Sequence, residues 1–433
     1  MASARCMMRD VPVLTAVGDG LTREEDYLPM PAIVAWPTVV QDALTRYSDL
    51  FQNEPERRHF AEYLTGLLVA QRKTVAGINA EFAVTTDQSC LNRWITEVAW
   101  DVQALNERRL TELQRDPSTR YAAQGVIALD NTLVAHDGTL IEDVGWFWDH
   151  AESHHQIAHD YLIANYVCAS GKHYPLDFRR FRKEADGPPA AFKDHTQLFC
   201  ELADWVIAHD IPGEFTFDCY FTSATILNHL HAKRRGYVGD LKFNRKVEFG
   251  GRVWKAAEVA ASIPVEARKV VQLGEQRQWY FTKTIRIPTV DHPVRLVFLW
   301  DRKHGAEPVK MLLTNKTFWE ITRILRVYRK RWTGTETFHR DGKPHLGMGD
   351  CQLRSGEGQT RHLYLVLLAH SLLVTALRQG RACEWARVTL TTIGEACRAV
   401  LRDTLQRTIS WAIERATIEQ WTTPRICQVL QLA

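Results

Sequence analysis

The residues best placed for chemistry lie between Phe318 and Cys351. From Arg323 to Lys343 the chain carries Arg323, Arg326, Arg329, Lys330, Arg331, Arg340 and Lys343 against two acids, Glu336 and Asp341. An acid set in that much positive charge stays ionised, because nearby cations favour its charged form. Glu336 is therefore suited to hold a metal ion where phosphates bind. Two more acids, Asp130 in QGVIALDNTLV and Asp218 in EFTFDCYF, each follow an apolar run that reads as a strand ending at the aspartate. Side chains at the C-terminal end of a strand emerge at the sheet edge with rigid backbone behind them. Three carboxylates converging there would hold two Mg2+ ions, hard cations that take oxygen ligands, in the arrangement that serves phosphodiester displacement. Spacing alone leaves a second reading open, in which the aspartates cap turns and Glu336 is solvated.

The elements that must position these groups follow from periodicity. Between Pro37 and Arg115 the pattern is helical, with Phe60, Tyr63, Leu64, Leu67 and Leu68 on one face. A short helix from Lys73 to Ala80 and another from Ser89 to Glu97, capped by Asp87, predict a helix-turn-helix-like unit with Asn92 and Arg93 facing outward. Strands ending near Asp130, running roughly from Ala158 to Ala169 and from His173 to Phe178, form an antiparallel meander. A helix from Ala190 to His209, the Asp218 strand, a helix from Ser223 to Arg234 and the strand YVGDLKF complete the order that a ribonuclease H-like domain shows.

From Lys246 to Asp301 the chain turns β-rich and polar, which predicts an inserted β subdomain. Met311 to Asn315 reads as a return strand, Phe318 starts the basic helix, Glu357 to Gln379 holds a buried helix, and Arg381 to Ala433 is helical. The expected fold class is α/β: a ribonuclease H-like catalytic core with an inserted β subdomain, flanked by N- and C-terminal helical regions. The boundaries are a helical DNA-binding region at 1–120, core at 121–245, β insertion at 246–307, core with the glutamate helix at 308–378, and a helical region at 379–433.

Composition narrows the class. With 433 residues, 45% hydrophobic and 24% charged, the chain can bury a large core, and its net charge of +3 is too small to indicate nucleic-acid binding by itself. The nine cysteines are scattered without a C-x-x-C pair, which fits reduced thiols in a cytoplasm better than a zinc ribbon or disulfide framework. The N-terminal apolar run is broken by Asp10 and Pro12, so a signal peptide is not expected. The most apolar run, His362 to Leu377, is shorter than the roughly 20 residues needed to span a bilayer and reads as a core helix.

Tyr328, Arg331, Glu336 and Lys343 resemble the Tyr-Arg-Glu-Lys signature, Y-x2-R-x3-E-x6-K, of bacterial insertion-sequence transposases in the DDE superfamily. The run RWTGTETFHRDGKPHLGMGDCQLR is similar to one branch of that group, and ALDNT and TFDCYF are similar to its first and second Asp motifs. The resemblance implies Asp130, Asp218 and Glu336 as catalytic metal ligands, with Mg2+ as cofactor and Mn2+ able to substitute. It implies that Tyr328, Arg331 and Lys343 contact phosphates of the transposon end, and that the partners are terminal inverted repeats and target DNA, bound by a homodimer on paired ends. Location would be cytoplasmic, at the bacterial nucleoid when on DNA, with no membrane. There is one departure: four residues, WTGT, separate Arg331 from Glu336 where the signature has three. A continuous helix would turn Glu336 by about 100° from the expected face: either a break at Gly334 absorbs the extra residue, or the implied role of Tyr328 or Arg331 does not carry over.

The residues support consistent roles. Arg331 can grip phosphate bidentately and Lys343 acts as a point charge. Glu336, Arg340 and Lys343 fall on one helical face. The remaining basic residues fit either a solvated face or DNA backbone contact. Trp254, Trp279 and Trp300 are candidates for stacking on a displaced base or, equally, strand core. His150, His154, His155 and His159 lie in or near a predicted strand, where the i, i+4 geometry of a helical zinc pair does not apply. Cys219 beside Asp218 would point to the opposite face of the strand. The expected activity is transposon-end cleavage and strand transfer. The alternatives are a transposase-derived DNA-binding regulator and a stand-alone metal-dependent nuclease.

Overall fold

The computed structural model describes residues 30–150, 152–184, 192–378, 385–386 and 388–432. The chain opens with helices α1 (Thr38–Tyr47), α2 (Glu54–Val69), α3 (Val75–Ala80), α4 (Gln88–Thr96) and α5 (Val102–Arg115). Asn53, Thr74, Asp87 and Asp101 cap α2 to α5 by accepting backbone N–H groups that the first turn leaves free. Phe51, Phe60, Tyr63, Trp94 and Trp100 pack between these helices, the two tryptophans stacked at 5.3 Å.

There follow β1 (Val126–Ala135), β2 (Gly145–Asp149), β3 (His154–Val167), β4 (His173–Phe181), α6 (His195–Ala208), β5 (Glu214–Phe217), α7 (Ala224–Ala232) and β6 (Tyr237–Asp240). Next come β7 (Lys246–Phe249), β8 (Arg252–Lys255), α8 (Ala256–Ser262), β9 (Lys269–Leu273), β10 (Gln276–Ile285), β11 (Val294–Trp300) and β12 (Lys310–Thr314). The chain ends with α9 (Ile321–Leu346), α10 (Gly356–Ala376), α11 (Ile393–Thr417) and α12 (Thr423–Val429). One mixed sheet runs in the order β2-β3-β1-β5-β6-β12-β11-β10-β9, with β4 also paired to β3. β1, β5 and β6 are parallel, and the pairings on either side are antiparallel. The result is a mixed α/β architecture.

Three features depart from the expectations. Asp130 lies in the middle of β1 and not at its end, because Thr132, Leu133 and Val134 continue the β-favouring pattern and the whole strand pairs with β3. Strand β2, GWFWD, was not anticipated. Its outward-facing tryptophans, Trp146 and Trp148, are exposed, so it lacks the apolar run that marked the other strands. The β-rich stretch after β6 is not a separate sheet: β9, β10 and β11 extend the central one through β12, and only the β7–β8 hairpin stands outside it. Trp300 is fully buried and carries the Arg268 guanidinium over its ring at 4.1 Å, Trp279 packs against the core, and Trp254 is exposed on β8. Cys6, Cys383, the N-terminal apolar run and the expected helical turns at 190–191 and 381–384 lie outside the described residues.

Helix α10 is buried on nearly every side, as its composition requires, and lies against α5, α9 and α11. No helix among the described residues is long and apolar enough to cross a membrane. Helix α9 lies across β1, β3, β4 and β5 and so carries Glu336 to the strands that hold the two aspartates.

Candidate active site

Gly334 does not break α9, which is continuous from Ile321 to Leu346. Its function is close approach. A Cβ on residue 334 would stand 2.8 Å from Val167 Cγ2 and 3.1 Å from Ala128 Cβ, so only glycine lets the helix lie this near β1 and β3. The extra residue of WTGT is therefore carried within the helix. One consequence is that Arg331 and Thr335, one turn apart, both reach Asp130. The helix ends at Gly347, whose left-handed conformation (φ 67°) lets its N–H cap the carbonyl of Gly342.

Asp130 is buried. Its Oδ2 accepts from Arg331 Nη1 at 2.7 Å and from Thr335 Oγ1 at 3.4 Å, and its Oδ1 accepts from the Asn131 N–H at 3.1 Å. Burial pushes its carboxyl up to about 7. Arg331 opposes that rise, while the charges of Asp218 and Glu336 add to it. Asp218 follows β5, where its Oδ1 accepts from the Tyr220 N–H at 2.9 Å. Its carboxyl is also raised, first by burial and then by Asp240, with the Tyr220 N–H and Arg331 pulling the other way. Glu336 is half-buried, five residues beyond Arg331 on the same helix. Burial works against the Arg331 charge, yet Asp130, Tyr328 and Asp218 hold it above its ordinary range.

The remaining residues singled out from the sequence divide between this site and the surface. Tyr328 is half-buried and donates to Asp240 Oδ2 at 3.3 Å. Burial and Asp240 push its phenol up to about 12. Arg340 and Lys343 lie on the exposed side of α9. Neighbouring groups desolvate the Lys343 ammonium enough to lower its pKa, while Asp149 and Glu336 pull it back up. Arg93 is exposed on α4, well separated in the chain from these groups, beside a surface hollow lined by Asn53, His59 and Trp94. Asn92 is half-buried. His154, His155 and His159 are strand residues of β3. Burial raises the Cys219 thiol above its usual range, which keeps it protonated.

Two partners had not been anticipated. Asp240 ends β6 with Lys310 Nζ at 3.0 Å, and Thr335 supplies the second contact to Asp130. Asp240 had a visible signal, since it closes an apolar strand just as Asp218 does.

Residues 46–258 match the family model of the DDE superfamily endonucleases. The match takes in Asp130, Asp218 and Asp240 and ends before α9, so it does not include Glu336. No curated protein matches the chain. Likeness to a DDE endonuclease supports a transposase-like enzyme of nuclease type that acts on DNA.

The donor set fits the divalent cation on which this superfamily depends. All three side chains offer hard carboxylate oxygens. Burial and neighbouring carboxylates, Asp218 and Glu336 at Asp130 and Asp240 at Asp218, raise both groups, and a bound cation would relieve that. The carboxylates share one electrostatic neighbourhood, although their oxygens are not all within 4.8 Å of one another.

Proposed function

We propose that this chain is a DDE transposase of the bacterial insertion-sequence type, which cuts the ends of its element and joins their 3′-hydroxyls to target DNA. Its sheet and flanking helices are read as a ribonuclease H-like core, with DNA-binding helices in residues 1–120 and a β7–β8 hairpin carrying Trp254 beside the core. Asp130, Asp218 and Glu336 would hold Mg2+, for which Mn2+ would substitute. A pair of such ions, when bound, would supply activation of the attacking oxygen and charge stabilisation of the leaving one. Arg331 fixes the orientation of Asp130, and Thr335 supports it. Lys343 and Arg340, exposed beside Glu336, receive DNA phosphates as point charge and fork, while Arg93 meets the backbone further along the duplex. Paired ends call for a homodimer on DNA, in the bacterial cytoplasm.

The observation that carries this reading is α9, pressed on β1 at Gly334, with Glu336 five residues beyond the arginine that grips Asp130 and its charge felt at that carboxylate. The test is cleavage of DNA bearing the element's ends. The wild-type chain should nick only with Mg2+ or Mn2+ and then join the 3′-ends to target. Asp130→Ala, Asp218→Ala and Glu336→Ala should still shift the DNA in a gel without nicking it. A wild-type chain that binds and never nicks would leave a regulator, and one that nicks without joining would leave a nuclease.

A further inference from the structure

A second cluster sits further along α9. His173 at the start of β4, Asp341 on α9 and His370 on α10 bring one donor atom each to within 4.8 Å of the others. Asp341 and His370 are buried, and His370 has no exposed surface at all. Among the described residues, neither ring nitrogen of His370 has a hydrogen-bond partner, and the same holds for His173. Among the described residues, Asp341 has one ion pair, a distant one with the exposed Arg340 at 3.9 Å, and it also feels the charge of His345. Buried imidazole nitrogens are normally satisfied. Here two rings converge on one carboxylate without hydrogen-bonding to it or to any other described residue.

We propose that His173, Asp341 and His370 form a transition-metal site, with Zn2+ the occupant that best fits two imidazoles and one carboxylate. Nitrogen donors disfavour Mg2+ and suit zinc, which three such ligands hold with one position left for water. The ion would tie α9 to β4 and α10 just beyond Glu336 and so brace the helix that carries it. This site is separate from the carboxylate one and does not depend on the proposed activity.

The test uses the full chain, stripped with a chelator and then dialysed with Zn2+ in excess Mg2+. Elemental analysis should find one Zn2+ per chain in the wild type and in Asp130→Asn. His173→Gln and Asp341→Asn, checked for unchanged circular dichroism, should bind Zn2+ at least about tenfold more weakly. Independently of any variant, Co2+ added to the stripped wild type should give the visible absorption of a nitrogen-ligated, near-tetrahedral ion, and one equivalent of Zn2+ should abolish it. No such absorption, no retained zinc in the wild type, or wild-type zinc affinity in both folded variants would overturn the proposal.

Discussion

Helix α9 carries two polar clusters built in opposite ways. Around Arg331 the groups answer one another: Arg331 meets Asp130, and Tyr328 and Lys310 meet Asp240. The surplus there is charge, since Asp218 and Glu336 add two more carboxylates to the same neighbourhood. Around Asp341 the surplus is hydrogen-bonding capacity, four imidazole nitrogens without partners. A cation can be wanted for either reason. The first kind of site pulls on hard ions through repulsion among oxygens, the second on softer ions through lone pairs.

The largest expected effect lies in the first cluster. Removing any one of Asp130, Asp218 or Glu336 as alanine should lower cleavage on the order of 10³-fold, because these groups act where charge develops in the reaction. End binding measured by gel shift should persist. Retained Mg2+-dependent cleavage by one variant would remove that residue from the site.

Asp130 also makes the folded chain sensitive to pH. Its carboxyl titrates at about 7 when folded, against an ordinary value of 3.8, so between those pH values the folded state binds the extra proton. Stability should therefore fall as pH rises from about 4 to 7, by on the order of 4 kcal/mol in full. Asp130→Asn should unfold at a higher temperature than the wild type at pH 8, and the two should converge near pH 4. Mg2+ should raise the midpoint of the wild type and leave that of Asp130→Asn unchanged. Equal melting at both pH values would show that Asp130 carries no such burden.

A smaller effect is expected where α9 touches the sheet. Gly334→Ala adds a methyl 2.8 Å from Val167 Cγ2, and overpacking of this kind costs about 1–3 kcal/mol. Alanine favours helices by up to about 1 kcal/mol, so a net loss in urea unfolding is expected, with slower cleavage as Glu336 shifts. Stabilisation without loss of rate would show that the close approach is unimportant.

The smallest change in stability belongs to the exposed side of the helix. Arg340→Ala and Lys343→Ala should leave stability within about 0.5 kcal/mol, and each should reduce the salt dependence of DNA binding by about one phosphate contact. An unchanged salt slope would return these residues to the solvated face.

Much of this arrangement could be read from residue order, for local reasons. Asp87 could be named as a cap and the strand before Asp218 seen because both signals lie within a few residues. The buried helix α10 announced itself by composition. The apolar run pauses at Asp130 and so points to a strand end there, and only pairing with β3 carries the strand on to Ala135. Gly334 looked like a helix breaker because what makes it necessary, Val167 and Ala128, lies far away in the chain. The Asp341 cluster had no motif at all, since its three residues come from a strand and two helices that only the fold brings together.

The central claim is that Glu336, outside the matched stretch, completes the site, and not Asp240, the other acid near Asp218. Cleavage of end-containing DNA in Mg2+ by Glu336→Gln and by Asp240→Asn, side by side, tests it most directly. Glu336→Gln should bind the ends and cut none, whereas Asp240→Asn, which removes contacts to Lys310 and Tyr328 and a charge felt at Asp218, should cut within about tenfold of wild type. Cutting by Glu336→Gln with none by Asp240→Asn would contradict the account.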